Sequence, residues 1–335
     1  MDEQKAPAIT WYRTPLAPDD RKRLHEKSDV LGGLQTFGFL GCYAFTLGAS
    51  MYSFYHWHWE ATVLLVFLHG MVASFMINAV HELTHGTVFE TKALNVLFAR
   101  VVAFLGWNNH EMFQSSHARH HRYTLHQPDD LEVVLPIHLM VRHFFLFGFI
   151  DPRRALYDIR SAVRIARGRF KGAWELTVFP ESAPEKRKAP VNWARTLLLG
   201  HFLILVLSIA LKLWLLPVLI TFSPFYGGWL FFLCNNTQHI GLQDKVPDFR
   251  LCCRTFTLNP IVGFLYWRMN YHIEHHMYAA VPCYRLGELH RLIKQDLAPC
   301  PHGLAATWRE IAAIQKIQEA NPSYQHIAAL PAAAS

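Results

Sequence analysis

Eight histidines fall in three tight clusters, His81/His85, His117/His120/His121 and His272/His275/His276. The spacings are i,i+4 in the first and i,i+3,i+4 in the other two. On an α-helix those offsets place each cluster within about a 100° arc of one face. Imidazole is the commonest metal-ligating side chain. Eight converging imidazoles exceed what one first-row ion accepts, so the arithmetic asks for two ions. Zinc, copper and iron all take imidazole, so the side chains alone leave the metal open. Two considerations favour a redox-capable pair. Ligands beyond the needs of closed tetrahedral zinc call for high coordination. The clusters also adjoin sequence apolar enough to enter a membrane, where the inert C–H bonds of lipid chains are the obvious substrate.

The elements that must position these clusters are membrane helices. Of the 335 residues, 52% are hydrophobic. Neither residues 31–55 nor 61–80 contain Asp, Glu, Lys or Arg. Each run is long enough to cross about 30 Å of hydrocarbon as a helix. The second leads straight into His81-Glu82-Leu83-Thr84-His85, which puts the first cluster at a span exit. Residues 94–107 are apolar but short, suiting an interfacial or re-entrant segment. Residues 196–234 are apolar for twice a membrane thickness and read as a hairpin of two spans, near 196–211 and 215–235. The hairpin turns near Lys212–Trp214, with Pro217 early in the returning helix and Pro224, Gly227 and Gly228 kinking it. The expected organisation is an arm at 1–30, a membrane domain at 31–300, and a C-terminal amphipathic segment with a disordered tail at 301–335. Beyond about Asn321 the Ala- and Pro-rich tail reads as dispensable.

Charge orients this layout. The formal net charge is +7, and the basic run from Arg153 to Arg195 lies on the same side as the arm and all three clusters. The 56–60 loop carries no Lys or Arg, so the positive-inside rule makes the clustered side cytoplasmic. The excess charge suits an anionic lipid surface, and nucleic acid is not an expected partner. The polar first thirty residues lack the apolar run of a signal peptide. The six cysteines form no C-x-x-C pair and read as ordinary reduced or buried thiols.

Taken together, the ordered boxes H-x3-H, H-x2-H-H and H-x2-H-H and the four-span layout resemble the membrane fatty acid desaturase/hydroxylase family over roughly residues 30–300. The resemblance implies an all-α, four-span integral membrane protein whose cytoplasmic helical cap holds a non-haem di-iron centre. It further implies O2 as co-substrate, oxidation of an unactivated acyl C–H bond, and desaturation as the foremost outcome. A hydroxylase or monooxygenase of a lipid, carotenoid or small metabolite is the alternative. The implied iron ligands are His81, His85, His117, His120, His121, His272, His275 and His276. His239 is the further histidine that family members place at the end of the fourth helix. Asn235, one turn earlier, resembles an asparagine that some members hold near a metal through water. An acyl-lipid, acyl-CoA or acyl-carrier-protein is the expected substrate. With no haem-binding H-P-G-G segment, Fe–S cysteine set or dinucleotide fingerprint, electrons are expected from a separate ferredoxin-, rubredoxin- or cytochrome-like donor.

Competing readings are weaker. His81-Glu82-x-x-His85 matches the H-E-x-x-H of zinc metalloproteases, whose glutamate is the general base, but it leaves six box histidines unexplained. A metal transporter would place its ligands near the bilayer midplane, and these boxes lie at span exits. His69 and His201, alone inside spans, read as packing residues; His110 and His126 flank the second box. Ligating histidines need partners for their second ring nitrogen. Asp129, Asp130, Asp244, Asp248 and Glu274 are candidates, and none stands out from sequence.

Overall fold

A computed structural model describes residues 8–332; residues 1–7 and 333–335, the outermost parts of the expected arm and tail, lie outside the described residues. Among the described residues the chain is helical, with isolated bridges but no strand. Helix α1 (Pro18–His25) opens with proline and two aspartates and closes with basic residues, as the helix dipole favours. Helix α2 (Asp29–His56) is capped by Ser28, whose hydroxyl accepts from the Leu31 amide. Helices α3 (Trp59–Ser74) and α4 (Met76–Thr84) form one run, with a break at Phe75. Helix α5 (Lys92–Leu105) folds back against α4, and α6 (His110–Tyr123) follows.

Then come α7 (Val141–Gly148), α8 (Pro152–Ala166), α9 (Gly172–Val178) and the long α10 (Pro184–Ala210). Among the described residues, three helical stretches are long and apolar enough to cross a membrane: Asp29–His56, Trp59–Thr84 and Pro184–Ala210. Their outer faces expose Leu34, Phe37, Phe45, Val63, Leu64, Leu199, Phe202 and Leu207. So much contiguous exposed apolar surface suits lipid rather than water. The buried polar groups inside these helices are satisfied within the protein. His69 Nε2 donates to the Leu219 carbonyl while its Nδ1 meets the Thr46 hydroxyl. His201 Nε2 donates to the Phe104 carbonyl. Both therefore pack, as expected.

The returning half of the expected hairpin is not one helix. It is α11 (Leu216–Ile220), a 3-10 turn at Ser223–Phe225, and α12 (Trp229–Asn235). The cause is local. Pro217 and Pro224 each open a helical piece, and Gly227 takes φ +69 where its backbone presses on α3, so an added Cβ would lie 2.5 Å from the Phe67 carbonyl oxygen. The freed backbone groups are met by the α7–α8 link: the Gly227 amide donates to Phe149 O at 2.7 Å and the Asp151 amide to Phe225 O at 2.8 Å. Irregular backbone is tolerated in a membrane domain where protein satisfies it in this way. Helix α7, which sequence did not single out, exposes Val141, Phe145 and Leu146 beside this segment.

The remaining helices are the short α13 (Phe249–Cys252), α14 (Pro260–Leu265), α15 (His272–Met277) and α16 (Leu286–Ile293), and the longer α17 (Gly303–Ala320). Their core, with Phe249, Phe256, Tyr266, Trp267, Met277, Leu286 and Ile293 all essentially inaccessible, packs under the end of α4. Both ends of the described residues join this cap. In the arm, Trp11 stacks on Phe249 at 4.1 Å and donates to Arg122 O, while the Tyr12 amide donates to Pro247 O. The described part of the tail is also tied down, in place of the disorder expected from its composition. The His326 amide donates to Gly241 O at 2.8 Å, and Gln325 Nε2 donates to Asp244 Oδ1 at 2.7 Å. Backbone and amide groups make these bonds, which an apolar-face criterion does not register.

Candidate metal centre

All three boxes are helical, and each is locked by its surroundings. The first lies on α4, whose polypeptide leaves at Gly86 with φ +68. The loop beyond is braced by Asn95, which accepts from the Phe89 amide and donates to the Phe89 carbonyl. The second lies on α6, capped by Asn109 accepting from the Met112 amide. The third is the whole of α15. Glu274, between its histidines, turns away from them. It accepts from the Thr255 hydroxyl and from His290 Nδ1, both at 2.5 Å, and so pins the short helix to α16.

The boxes converge. His81, His85, His117, His121 and His275 place one ligand atom each within 4.8 Å of one another. His239, Cys253, His272 and His276 form a second such group. The two adjoin, since the His121 and His276 rings stack at 4.3 Å. His120 stands beside the second group, its ring 5.0 Å from that of His276 and 5.4 Å from that of His239. Helix α12 stops at Asn235, so His239 comes from the turn after it and not from the same helical face as Asn235. Among the sequence candidates, His110 and His126 make no hydrogen bond to a box histidine: His110 packs on Trp193 and His126 on Trp11.

Carboxylates set the ring orientation. His81 Nδ1 donates to Glu82 at 2.9 Å, His117 Nδ1 to Glu132 at 2.7 Å and His120 Nδ1 to Asp130 at 2.8 Å. A proton held on Nδ1 leaves Nε2 with a bare lone pair, the form that binds a metal. Of the five candidates from sequence, only Asp130 performs this role. Asp129 pairs with Arg119, Asp248 with Arg250, Asp244 with Gln325, and Glu274 with His290. Glu132 was missed. Its signal was present, because residues 130 and 132 sit two apart in non-helical chain, a spacing that can bring both side chains to the same flank.

Burial keeps the rings neutral. It holds His85 at about 4 and His239 at about 3, and pushes His117, His121, His272, His275 and His276 well below the ordinary histidine value. His120 is the exception. Burial pulls it down, but the Asp130 hydrogen bond and the charges of Glu132 and Asp130 outweigh that, and the net shift is upward.

The residues fit a metal pair. His117 and His121 bring their Nε2 atoms to 2.9 Å, His121 and His275 to 3.0 Å, and His239 and His272 to 3.0 Å. Facing lone pairs repel at that distance unless a cation or proton lies between them. Imidazole–metal bonds of about 2.1 Å at right angles give a nitrogen separation of about 3.0 Å, against about 3.4 Å for tetrahedral angles. The buried Nε2 atoms of His81, His85 and His276 have no protein partner at all. Five imidazoles in one group also exceed the three protein ligands of a zinc protease, and Glu82 is engaged with His81.

The family model described as fatty acid desaturase matches residues 57–308, well over half of the chain and all three boxes. No curated protein matches the sequence.

Proposed function

The chain belongs to the fatty acid desaturase family, and on that premise we propose that it introduces a double bond into a fatty acyl chain within a membrane. Membership makes it an oxidoreductase of the desaturase/hydroxylase type. The finer reading is a four-span protein with its termini and boxes cytoplasmic, nine histidines as ligands to two irons, and an external electron donor. The observation that carries it is the set of imidazole pairs facing one another across 2.9–3.0 Å.

The ligands in this reading are His81, His85, His117, His121 and His275 for one iron, and His120, His239, His272 and His276 for the other. Asn235, at the end of α12, is the candidate for a water-mediated contact. Two irons held there would supply O2 reduction and hydrogen abstraction from an unactivated C–H bond. The protein's own task is to hold and shield. Glu82, Asp130 and Glu132 keep the Nδ1 protons and so the Nε2 lone pairs in place. Phe249, packed on His276, and Phe113, stacked on His117, exclude water from the rings. The fourth crossing is the broken segment from α11 to α12, buttressed by Phe149–Asp151.

Expression in a host that lacks acyl desaturation, with lipid profiling by mass spectrometry and iron analysis of the purified protein, tests the reading. New unsaturated acyl chains and close to two irons per chain are expected. A protein holding one zinc and no iron after growth in ample iron would falsify the di-iron assignment. Hydroxylated products with two irons would move the reaction to the hydroxylase branch of the same family.

A further inference from the structure

The two histidine groups are unlike in the partners that back their rings. In the first, the imidazoles are backed by two carboxylates, Glu82 on His81 and Glu132 on His117. Glu82 Oε1 also lies 3.6 Å from His275 Nδ1. In the second, the backing is neutral. His239 Nδ1 donates to the Cys252 carbonyl at 2.7 Å, His276 Nδ1 meets the Thr124 hydroxyl, and His272 Nδ1 has no partner. The carboxylate that backs a ring on this side, Asp130, acts through His120. A divalent ion among neutral, buried ligands carries an uncompensated charge, which is costly away from water.

One group there could compensate it. Cys253 is 2% exposed, and its Sγ lies within the 4.8 Å set formed with the nitrogens of His239, His272 and His276. It is held in that position. The Arg254 amide donates to Gln238 O at 2.9 Å, and Arg254 Nη1 donates to Thr237 O at 2.6 Å and Ile240 O at 3.1 Å. With the His239–Cys252 bond, these contacts tie residues 252–254 to the turn that carries His239. The thiol's one hydrogen-bond neighbour is the Cys252 sulfur at 3.9 Å, so no strong polar contact holds it away from the imidazoles. His276 Nε2, buried and without a partner, belongs to the same group of residues.

We propose that Cys253 is a thiolate ligand of the second metal position, alongside His239, His272 and His276. This rests on the reading of the histidine groups as a two-metal centre. On binding, the S–H bond breaks, a metal–sulfur bond forms, and the proton leaves to solvent, so metal uptake releases a proton at this ligand. The sulfur adds a negative charge in direct contact with a position whose one carboxylate backing, Asp130, acts through His120. As a soft, strongly donating ligand it makes the two positions chemically different.

The test uses the full-length protein in detergent or nanodiscs, stripped of metal and reloaded with Co(II) or Zn(II). X-ray absorption of the zinc-loaded wild type is expected to show a sulfur scatterer, and the cobalt form a thiolate-to-cobalt band in the near ultraviolet. Cys253→Ser abolishes the band, and Cys252→Ser retains it. If Cys253→Ser fails to insert, the wild-type absorption data decide alone. Two bound metals surrounded by nitrogen and oxygen only would sink this inference and leave the two-metal reading standing. A protein that takes up no metal would sink both.

Discussion

Asp130→Asn probes how the protein holds its ligands. The Asp130 side chain is fully buried and accepts three hydrogen bonds: from His120 Nδ1 and the Leu125 amide on Oδ2, both at 2.8 Å, and from the Glu132 amide on Oδ1 at 2.9 Å. Those bonds hold its carboxyl below the usual carboxylate range, against the opposing effect of burial. An asparagine of the same shape has one acceptor oxygen and an amide that can only donate. If the oxygen stays on the Oδ2 side, the amide faces the Glu132 N–H, and a charge-assisted bond worth about 1.5–3 kcal/mol is lost. If it flips, the amide faces His120 and moves the imidazole proton to Nε2, which removes the lone pair a metal needs. Either way the expected loss of metal affinity is about 10–100-fold, which is the range for outer-shell partners of metal ligands. The assay is iron retention against a graded chelator, read by elemental analysis on membrane-inserted protein. The iron content should fall towards half that of the wild type at chelator concentrations the wild type withstands, because the proposed ligand set gives His120 to only one of the two positions. Unchanged retention of both irons would refute the reasoning that Asp130 holds His120 for a metal.

Other perturbations address separate links in the argument. Glu82→Gln should reduce turnover about 10–100-fold without abolishing it, because Glu82 orients His81 and activates no water; peptide-bond cleavage by the wild type that disappears in this variant would overturn the oxidase reading. Gly227→Ala should destabilise the protein by about 2–5 kcal/mol, from the positive φ and the clash with α3. Gly228→Ala, whose Cβ would meet nothing closer than 3.7 Å, is the control, and equal melting temperatures in detergent would contradict the broken-span geometry. Truncation after Asn321 removes the bonds from Gln325 and His326 to the 241–244 loop, at a cost of about 0.5–1.5 kcal/mol each. Faster iron loss and a lower melting temperature are expected, because that loop follows His239; a truncated protein indistinguishable from the full chain in both would show that these contacts contribute nothing.

The histidine boxes and the three long apolar helices were legible in the sequence because both are short-range properties. An i,i+3,i+4 spacing puts side chains on one face wherever the helix goes, and twenty apolar residues are long enough to span a bilayer whatever packs beside them. The apolar segment after α10 was only partly legible. Its prolines and glycines announced an interruption, but its division into α11 and α12 depends on Gly227 pressing against α3 and on Phe149 and Asp151 supplying hydrogen bonds, partners remote in sequence. The carboxylates show the same divide. Asp129 and Asp130 are adjacent and identical in type, yet one meets Arg119 and the other His120, because neighbouring residues in non-helical chain point in different directions. Glu132 lies fifteen residues from His117 and reaches it only after the chain turns back beside α6. Cys253 carries no motif. It meets His239, His272 and His276 because Arg254 clamps two loops together. Residue type and local spacing named the chemistry. Packing between distant segments chose which acid backs each ring, which thiol lies beside the second group and where the backbone breaks, because those choices depend on contacts that no local pattern encodes.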